Sequence, residues 1–171
     1  MLSGDTGRAT TYFEAALRLD PANAEAHNNL GCVLAAQGRM EEAIGHFRQS
    51  VGLRPGAAAL RNLGDALGKV GRSDEAQACL MQAVRLEPGL TEARFSLGNI
   101  LAAAGRYAEA LAQYQEITRV APTHIPALFN QGIMQRRLGR PAEARECFQR
   151  VLALDPANAA AARQLESLGQ P

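Results

Sequence analysis

The chain has 171 residues, 18 Lys and Arg against 17 Asp and Glu, a formal net charge of +1, no Trp and only 5% aromatic residues. So small a net charge, with no continuous basic stripe, excludes a general electrostatic pull toward nucleic acid or an anionic membrane surface. No apolar run approaches the ~20 residues that would span a bilayer, and residues 1–11 lack the basic and apolar halves of a signal peptide. A cytoplasmic protein is expected. The three cysteines, Cys32, Cys79 and Cys147, cannot all pair with one another and suit a reducing compartment. Lys69 is the single lysine in an Arg- and Ala-rich chain, a composition expected of a high-GC bacterial genome.

In chain order, residues 1–23 read as one helix, over about Thr6–Leu19, and Pro21 closes it. A helical pair follows, Ala24–Ala36 and Met40–Leu53, with Gly38 between the two and Pro55 after them. The same pattern then repeats. Pro21, Pro55, Pro88, Pro122 and Pro156 are spaced 34, 33, 34 and 34 residues apart. Gly31, Gly64, Gly98 and Gly132 keep that phase, and so do Gly4, Gly38, Gly71, Gly105 and Gly139. Ala9, Ala43, Ala76, Ala110 and Ala144 form a further series, and Phe13, Phe47, Leu80, Tyr114 and Phe148 another.

Each series has a physical reason. A glycine after a helix accepts the positive φ of a C′ position. A proline removes a backbone donor and ends the helix before it. Gly31 and Ala43 let two antiparallel helices approach closely, with Phe47 filling the space beside them. One such pair cannot bury its apolar face alone, so neighbours must stack. The segments are 1–23 (a second helix only), 24–56, 57–90, 91–124, 125–158 and 159–171 (a capping first helix), ten helices in all. The missing residue between Pro55 and Gly64 is expected to shorten one turn and alter the pitch locally.

The period and these positions resemble the tetratricopeptide repeat family across essentially the whole chain. In "AEAHNNLGCVLAAQGRMEEAIGHFRQSVGLRP", Leu30-Gly31, Gly38, Ala43, Phe47 and Pro55 stand at the signature sites. His27, Leu60, Arg94 and Leu128 replace the family's large first-helix aromatic, and Gln131 replaces the leucine before Gly132. The resemblance implies an all-α, right-handed superhelical solenoid. Its first helices would line a concave groove that takes an extended peptide or a partner's helix.

A search for catalytic or metal chemistry finds no CxxC, HExxH, Walker loop or GxGxxG. His27, His46 and His124 occupy three different repeat positions, and Glu41, Glu42 and Glu109 read as first-turn carboxylates that favour the helix dipole. The reading is a protein-binding scaffold, not an enzyme, with no cofactor and no metal. The groove candidates are Asn28, Asn29, Arg61, Asn62, Asp65 and Lys69, then Phe95, Ser96 and Asn99. They continue with Phe129, Asn130, Ile133, Arg136 and Arg137, and finish with Arg163 and Gln164.

Asn29, Asn62 and Asn130 share a repeat position, with Ser96 and Gln164 completing the row. This resembles the asparagine ladder in the tetratricopeptide arm of O-linked N-acetylglucosamine transferases. Amides in such a row can bind a peptide backbone, or they can be inherited consensus. The later groove gathers arginines near Phe95 and Phe129, which fits either an acidic and apolar peptide or a solvated basic face. The carboxylate clamp of chaperone-binding members is absent: one frame puts Asn28, Cys32, Asn62, Glu92 and Ser96 at its five places, and the others are no better.

Two alternatives stand beside the groove reading. The chain could be the targeting arm of a larger enzyme such as a glycosyltransferase. It could also be a homomeric assembly module, because Tyr12, Phe13 and Leu17 lack the helix that should precede them. A chain cut from a longer array is the simpler account of that bare face.

Overall fold

The computed structural model describes residues 3–169, so the outermost residues of the first and last segments, 1–2 and 170–171, lie outside it. Among the described residues there are ten helices and no strand. They are α1 Ser3–Leu19, α2 Ala24–Ala36, α3 Met40–Leu53, α4 Ala57–Lys69, α5 Ser73–Leu86, α6 Thr91–Ala103, α7 Tyr107–Val120, α8 Ile125–Arg137, α9 Pro141–Leu154 and α10 Ala159–Gly169. Two compact units result, residues 1–93 and 94–171, with the boundary inside α6.

Local chemistry sets the helix ends. Asn23 caps α2 by accepting from the Ala26 amide at 2.9 Å, and Asn158 caps α10 through the Ala161 amide at 3.1 Å. His124 does the same for α8, its Nδ1 accepting from the Ala127 amide at 3.1 Å; this ring is a helix cap. The first helices α2, α4, α6 and α8 end in one motif. Gly38, Gly71, Gly105 and Gly139 have φ between +72° and +80°. The amides of Arg39, Arg72, Arg106 and Arg140 then reach back to the carbonyls of Leu34, Leu67, Leu101 and Gln135, each at 2.9 Å. That six-to-one bond satisfies an orphan carbonyl at the helix end, and a residue with a Cβ would strain the positive φ that permits it.

The deletion after Pro55 leaves three residues between α3 and α4, where the corresponding turns have four. Gly56 occupies the N-cap of α4 there and supplies no side-chain cap. At the other end of the chain, α1 begins at Ser3, three residues before the position equivalent to Met40, so the segment equivalent to the Gly38 turn is helical.

Inside each pair, a glycine on the first helix faces a large side chain on the second. A Cβ added at Gly31 would lie 2.6 Å from the Phe47 ring, and one at Gly64 would lie 2.7 Å from Leu80 Cγ. In the second unit, a Cβ at Gly98 would lie 2.7 Å from the Tyr114 ring and one at Gly132 would lie 2.8 Å from Phe148. All four partners are buried. The missing methyl group is what lets the rings lie against the facing helix backbone. Neighbouring residues complete the cores. Leu60, Ala83 and Ala93 cluster in the first unit, and Leu128, Ala144, Phe148, Val151 and Ala161 cluster in the second.

Candidate binding surfaces

In the first unit, the groove candidates lie on α2 and α4. Asn62 Nδ2 donates to Asn28 Oδ1 at 2.9 Å and approaches Cys32 Sγ at 3.4 Å. The amide therefore ties two successive first helices together. Arg61 pairs with Asp65 at 3.1 Å, four residues along one helix face. Asn62, Arg61, Asp65, Lys69 and Cys32 line a cleft of about 300 Å³ whose apolar wall includes Met40 and Phe47. Asn29 is half-buried and Lys69 is exposed, and among the described residues neither side chain forms a hydrogen bond or ion pair.

In the second unit, Asn130 repeats the inter-helix tie. Its Nδ2 donates to Asn99 Oδ1 at 3.2 Å, and the same oxygen accepts from the Tyr114 hydroxyl at 2.7 Å. Burial pushes the Tyr114 phenol up to about 12, because the charged phenolate would be desolvated. Phe95 is half-buried, with its ring 5.8 Å from those of Tyr114 and His124. Phe129 lies 5.5 Å from Phe148, and Ile133 packs on the same core. Much of each candidate aromatic is thus engaged with its own fold. Arg136 donates to Ser167 Oγ at 3.3 Å, Arg137 lies 6.0 Å over the Tyr107 ring, and Arg163 is exposed. Ser96 and Gln164 are half-buried, and among the described residues Gln164 Oε1 has no hydrogen-bond partner.

Opposite the groove residues of α2, the structure brings together two histidines. His27 Nδ1 and His46 Nδ1 are 2.9 Å apart, and His27 Nε2 is 3.1 Å from the Pro21 carbonyl. The ring centroids are 5.2 Å apart. That exceeds the nitrogen separation by two ring radii, so both nitrogens lie near the line of centres. Such facing nitrogens share a proton; lone pairs converging on a metal would be bent toward a common point. Among the described residues, no three His, Cys, Asp or Glu side chains gather to hold a metal. Burial, and then the neighbouring His27, hold the His46 pKa below its ordinary value. Burial raises all three cysteine thiols, which keeps them protonated near neutral pH.

A further open surface lies along α1. Tyr12 is 70% exposed and Leu19 is 90% exposed, Phe13 and Leu17 are half-buried, and the Tyr12 and Phe13 rings meet edge-on at 5.4 Å. No helix among the described residues is long and apolar enough to cross a membrane.

Antiparallel helix pairs joined by one recurrent glycine turn and interlocked by one recurrent contact of a glycine with a large apolar side chain define an α-helical repeat scaffold. The chain belongs to the tetratricopeptide repeat family: residues 3–58 and 61–124 match one tetratricopeptide repeat model of that family, and residues 125–158 match a second. Among solved structures it is similar to YrrB, described as a TPR protein with an unusual peptide-binding site, at 27% identity and a TM-score of 0.84 over 95% of this chain and 84% of that one. It is also similar to MamA, at 25% identity and a TM-score of 0.85 over 92% of each chain. A tetratricopeptide repeat protein from Parabacteroides merdae shares the fold, at 21% identity and a TM-score of 0.84 over 96% of this chain and 66% of that one. No protein of curated function matches the chain in sequence.

Proposed function

We propose that the chain is a protein-binding scaffold whose first-helix face takes an extended segment of a partner protein. The observation that carries this reading is the α2–α4 cleft. Its polar rim is held in place by the Asn62–Asn28 and Arg61–Asp65 contacts, and its floor is apolar. A rigid rim that offers both donors and acceptors suits a peptide backbone, and an apolar floor suits one anchoring side chain. The peptide-binding site ascribed to YrrB, a structure alike over most of both chains, supports the same reading.

Peptides selected from a displayed library against the whole chain provide the test, with affinities read by fluorescence polarisation. Asn29→Ala combined with Lys69→Ala removes two side chains that form no hydrogen bond or ion pair among the described residues, and should weaken the selected peptides at least tenfold. Tyr12→Ser should leave them unchanged. Peptides that bind the double variant as tightly as the parent would refute the groove reading.

Self-association by extending the array meets a specific obstacle. A first-type helix that covers α1 must bring a glycine to the Phe13 ring, as Gly31 does for Phe47. The chain's own last first-type helix, α10, carries Glu166 at that repeat position. A carboxylate side chain against that ring would both clash and be desolvated.

A further inference from the structure

Ser50 is the polar member of an otherwise apolar series. It stands on α3 where α5, α7 and α9 have Ala83, Ile117 and Val151, and like them it is buried, at 3% exposed. A serine inside a helix commonly returns its hydroxyl to the backbone one turn earlier. The Ser50 hydroxyl does not: among the described residues it has no hydrogen-bond partner. Ser50 lines a cleft of about 170 Å³ beside the first turns of α2 and α4.

The opposite wall of that cleft is the start of α4, and it holds an unmet donor of its own. In α2, α8 and α10 the side chains of Asn23, His124 and Asn158 accept from the amides of Ala26, Ala127 and Ala161. The equivalent amide in α4 belongs to Ala59, and the residue in the capping place is Gly56, which has no side chain to offer. The first backbone bond of the helix runs from the Leu60 amide to the Gly56 carbonyl. The Ala59 amide is therefore left without an acceptor among the described residues. Gly56 and Ala59 line the same cleft as Ser50, so a buried hydroxyl and a helix amide face one space and the fold meets neither.

The rest of the lining sets the charge and size of what can enter. Glu25 on α2 and Arg54 at the end of α3 are exposed, and neither forms an ion pair among the described residues. Their charges offset one another, so the walls suit a neutral polar group rather than an ion. A cavity of about 150 Å³ holds a benzene-sized ligand, so this one has room for a single short side chain. Asn28 also lines it, which places it on the groove face, on the N-terminal side of the Asn62–Asn28 contact. Cys32, Asp65 and Lys69 line the 300 Å³ cleft on the other side of that contact.

We infer that the cleft at the start of α4 takes an asparagine side chain of the bound partner polypeptide, whose carbonyl oxygen caps α4 in place of the side chain that Gly56 lacks. The inference rests on the groove reading and names one residue of the partner. A carboxamide oxygen has two acceptor positions, one for the Ala59 amide and one for the Ser50 hydroxyl, and its NH₂ group donates to the Glu25 carboxylate. Asparagine is among the best helix-capping residues, and Asn23 serves α2 in the same way within the chain.

The test titrates the whole chain with acetyl-Ala-Asn-Ala-amide and follows the backbone amide resonances by NMR. Saturable shifts are expected at Ala58 and Ala59. Binding should weaken at least tenfold when leucine, similar in shape and without polar atoms, replaces the asparagine, and aspartate should bind no tighter than asparagine. A Cβ at Gly56 would have the Arg54 carbonyl oxygen as its nearest contact, at 4.0 Å. Gly56→Asn should therefore cap α4 from within the chain, raise the thermal midpoint and weaken the peptide at least tenfold. Should that variant fail to fold, Ser50→Ala installs the residue that α5 has at this position, and should weaken the peptide at least threefold without lowering the midpoint. Equal binding of the leucine peptide, tighter binding of the aspartate peptide, unchanged binding by the variant that folds, or no saturable shift would each overturn the inference. Library-selected peptides that weaken on the Asn29→Ala/Lys69→Ala variant but not on Ser50→Ala would overturn it too while leaving the groove reading intact.

Discussion

Gln135 on α8 stands where α2, α4 and α6 have Leu34, Leu67 and Leu101. All four are buried, so the fold builds the same apolar slot each time, and Gln135 is only 6% exposed. Its Oε1 is buried without a hydrogen-bond partner among the described residues. An unmet buried acceptor costs about 1–3 kcal/mol, and leucine is close to glutamine in size. Gln135→Leu should therefore raise stability by about 1–3 kcal/mol, which for a domain of this length corresponds to roughly 2–4 °C per kcal/mol. Denaturant unfolding followed by far-UV circular dichroism, alongside a thermal scan, gives the measurement. Because repeat arrays unfold by nearest-neighbour terms, the stabilisation should be largest in the transition that reports α7 to α10. An unchanged or lowered midpoint would show that the oxygen is satisfied in solution and that the slot is not equivalent to its three leucine counterparts.

One substitution should act in opposite directions at two glycines. A Cβ at Gly45 meets nothing within 4 Å, so Gly45→Ala should stabilise by about 0.5–1 kcal/mol through helix propensity. At Gly98 the same methyl group falls 2.7 Å from a Tyr114 ring pinned by Asn99, and overpacking of about 1–3 kcal/mol should outweigh that gain; both are read by denaturant midpoints. The lowered His46 pKa means that the unfolded state binds its proton first. Stability should thus be complete above pH ~6.5 and fall as the pH drops toward the folded-state value. The double variant His27→Leu/His46→Cys, carrying the pair of the next repeat, should lose that acid limb. Tyr114 is the converse case. With the folded phenol at about 12, stability should hold below the ordinary pKa of ~10 and fall between ~10 and 12, and Tyr114→Phe should remove its share of that alkaline loss when midpoints are measured across the range.

The helical lattice was largely legible in the residue series because each position answers a local or nearest-neighbour demand. The predicted helices Ala24–Ala36 and Met40–Leu53 coincide with α2 and α3. The glycine and ring series anticipated a close approach that the structure shows as Gly31 against Phe47 and Gly132 against Phe148. The surfaces were less legible. Asn62 and Asn130 read as groove-lining amides open to a peptide backbone, yet each is bonded to a side chain of the preceding first helix. The 19-residue spacing of His27 and His46 does not fall on one helix face, so a search along single helices misses the pair. A signal does exist. Arg94 and Gln113 have the same spacing and repeat positions, and Arg94 donates to Gln113 at 3.1 Å. Reading across the antiparallel pair would have found both.

The sequence by itself determined that this chain forms paired helices at a period of about 34 residues. Turn glycines, terminating prolines and the glycine–ring match all act between residues close along the chain, so periodicity alone exposes them. Only the tertiary structure decided what the open surfaces offer. It alone showed Asn62 as a tie between helices and His27 and His46 as a proton-sharing pair. Those properties arise from side chains brought together across different helices, which no pattern along a single helix exposes.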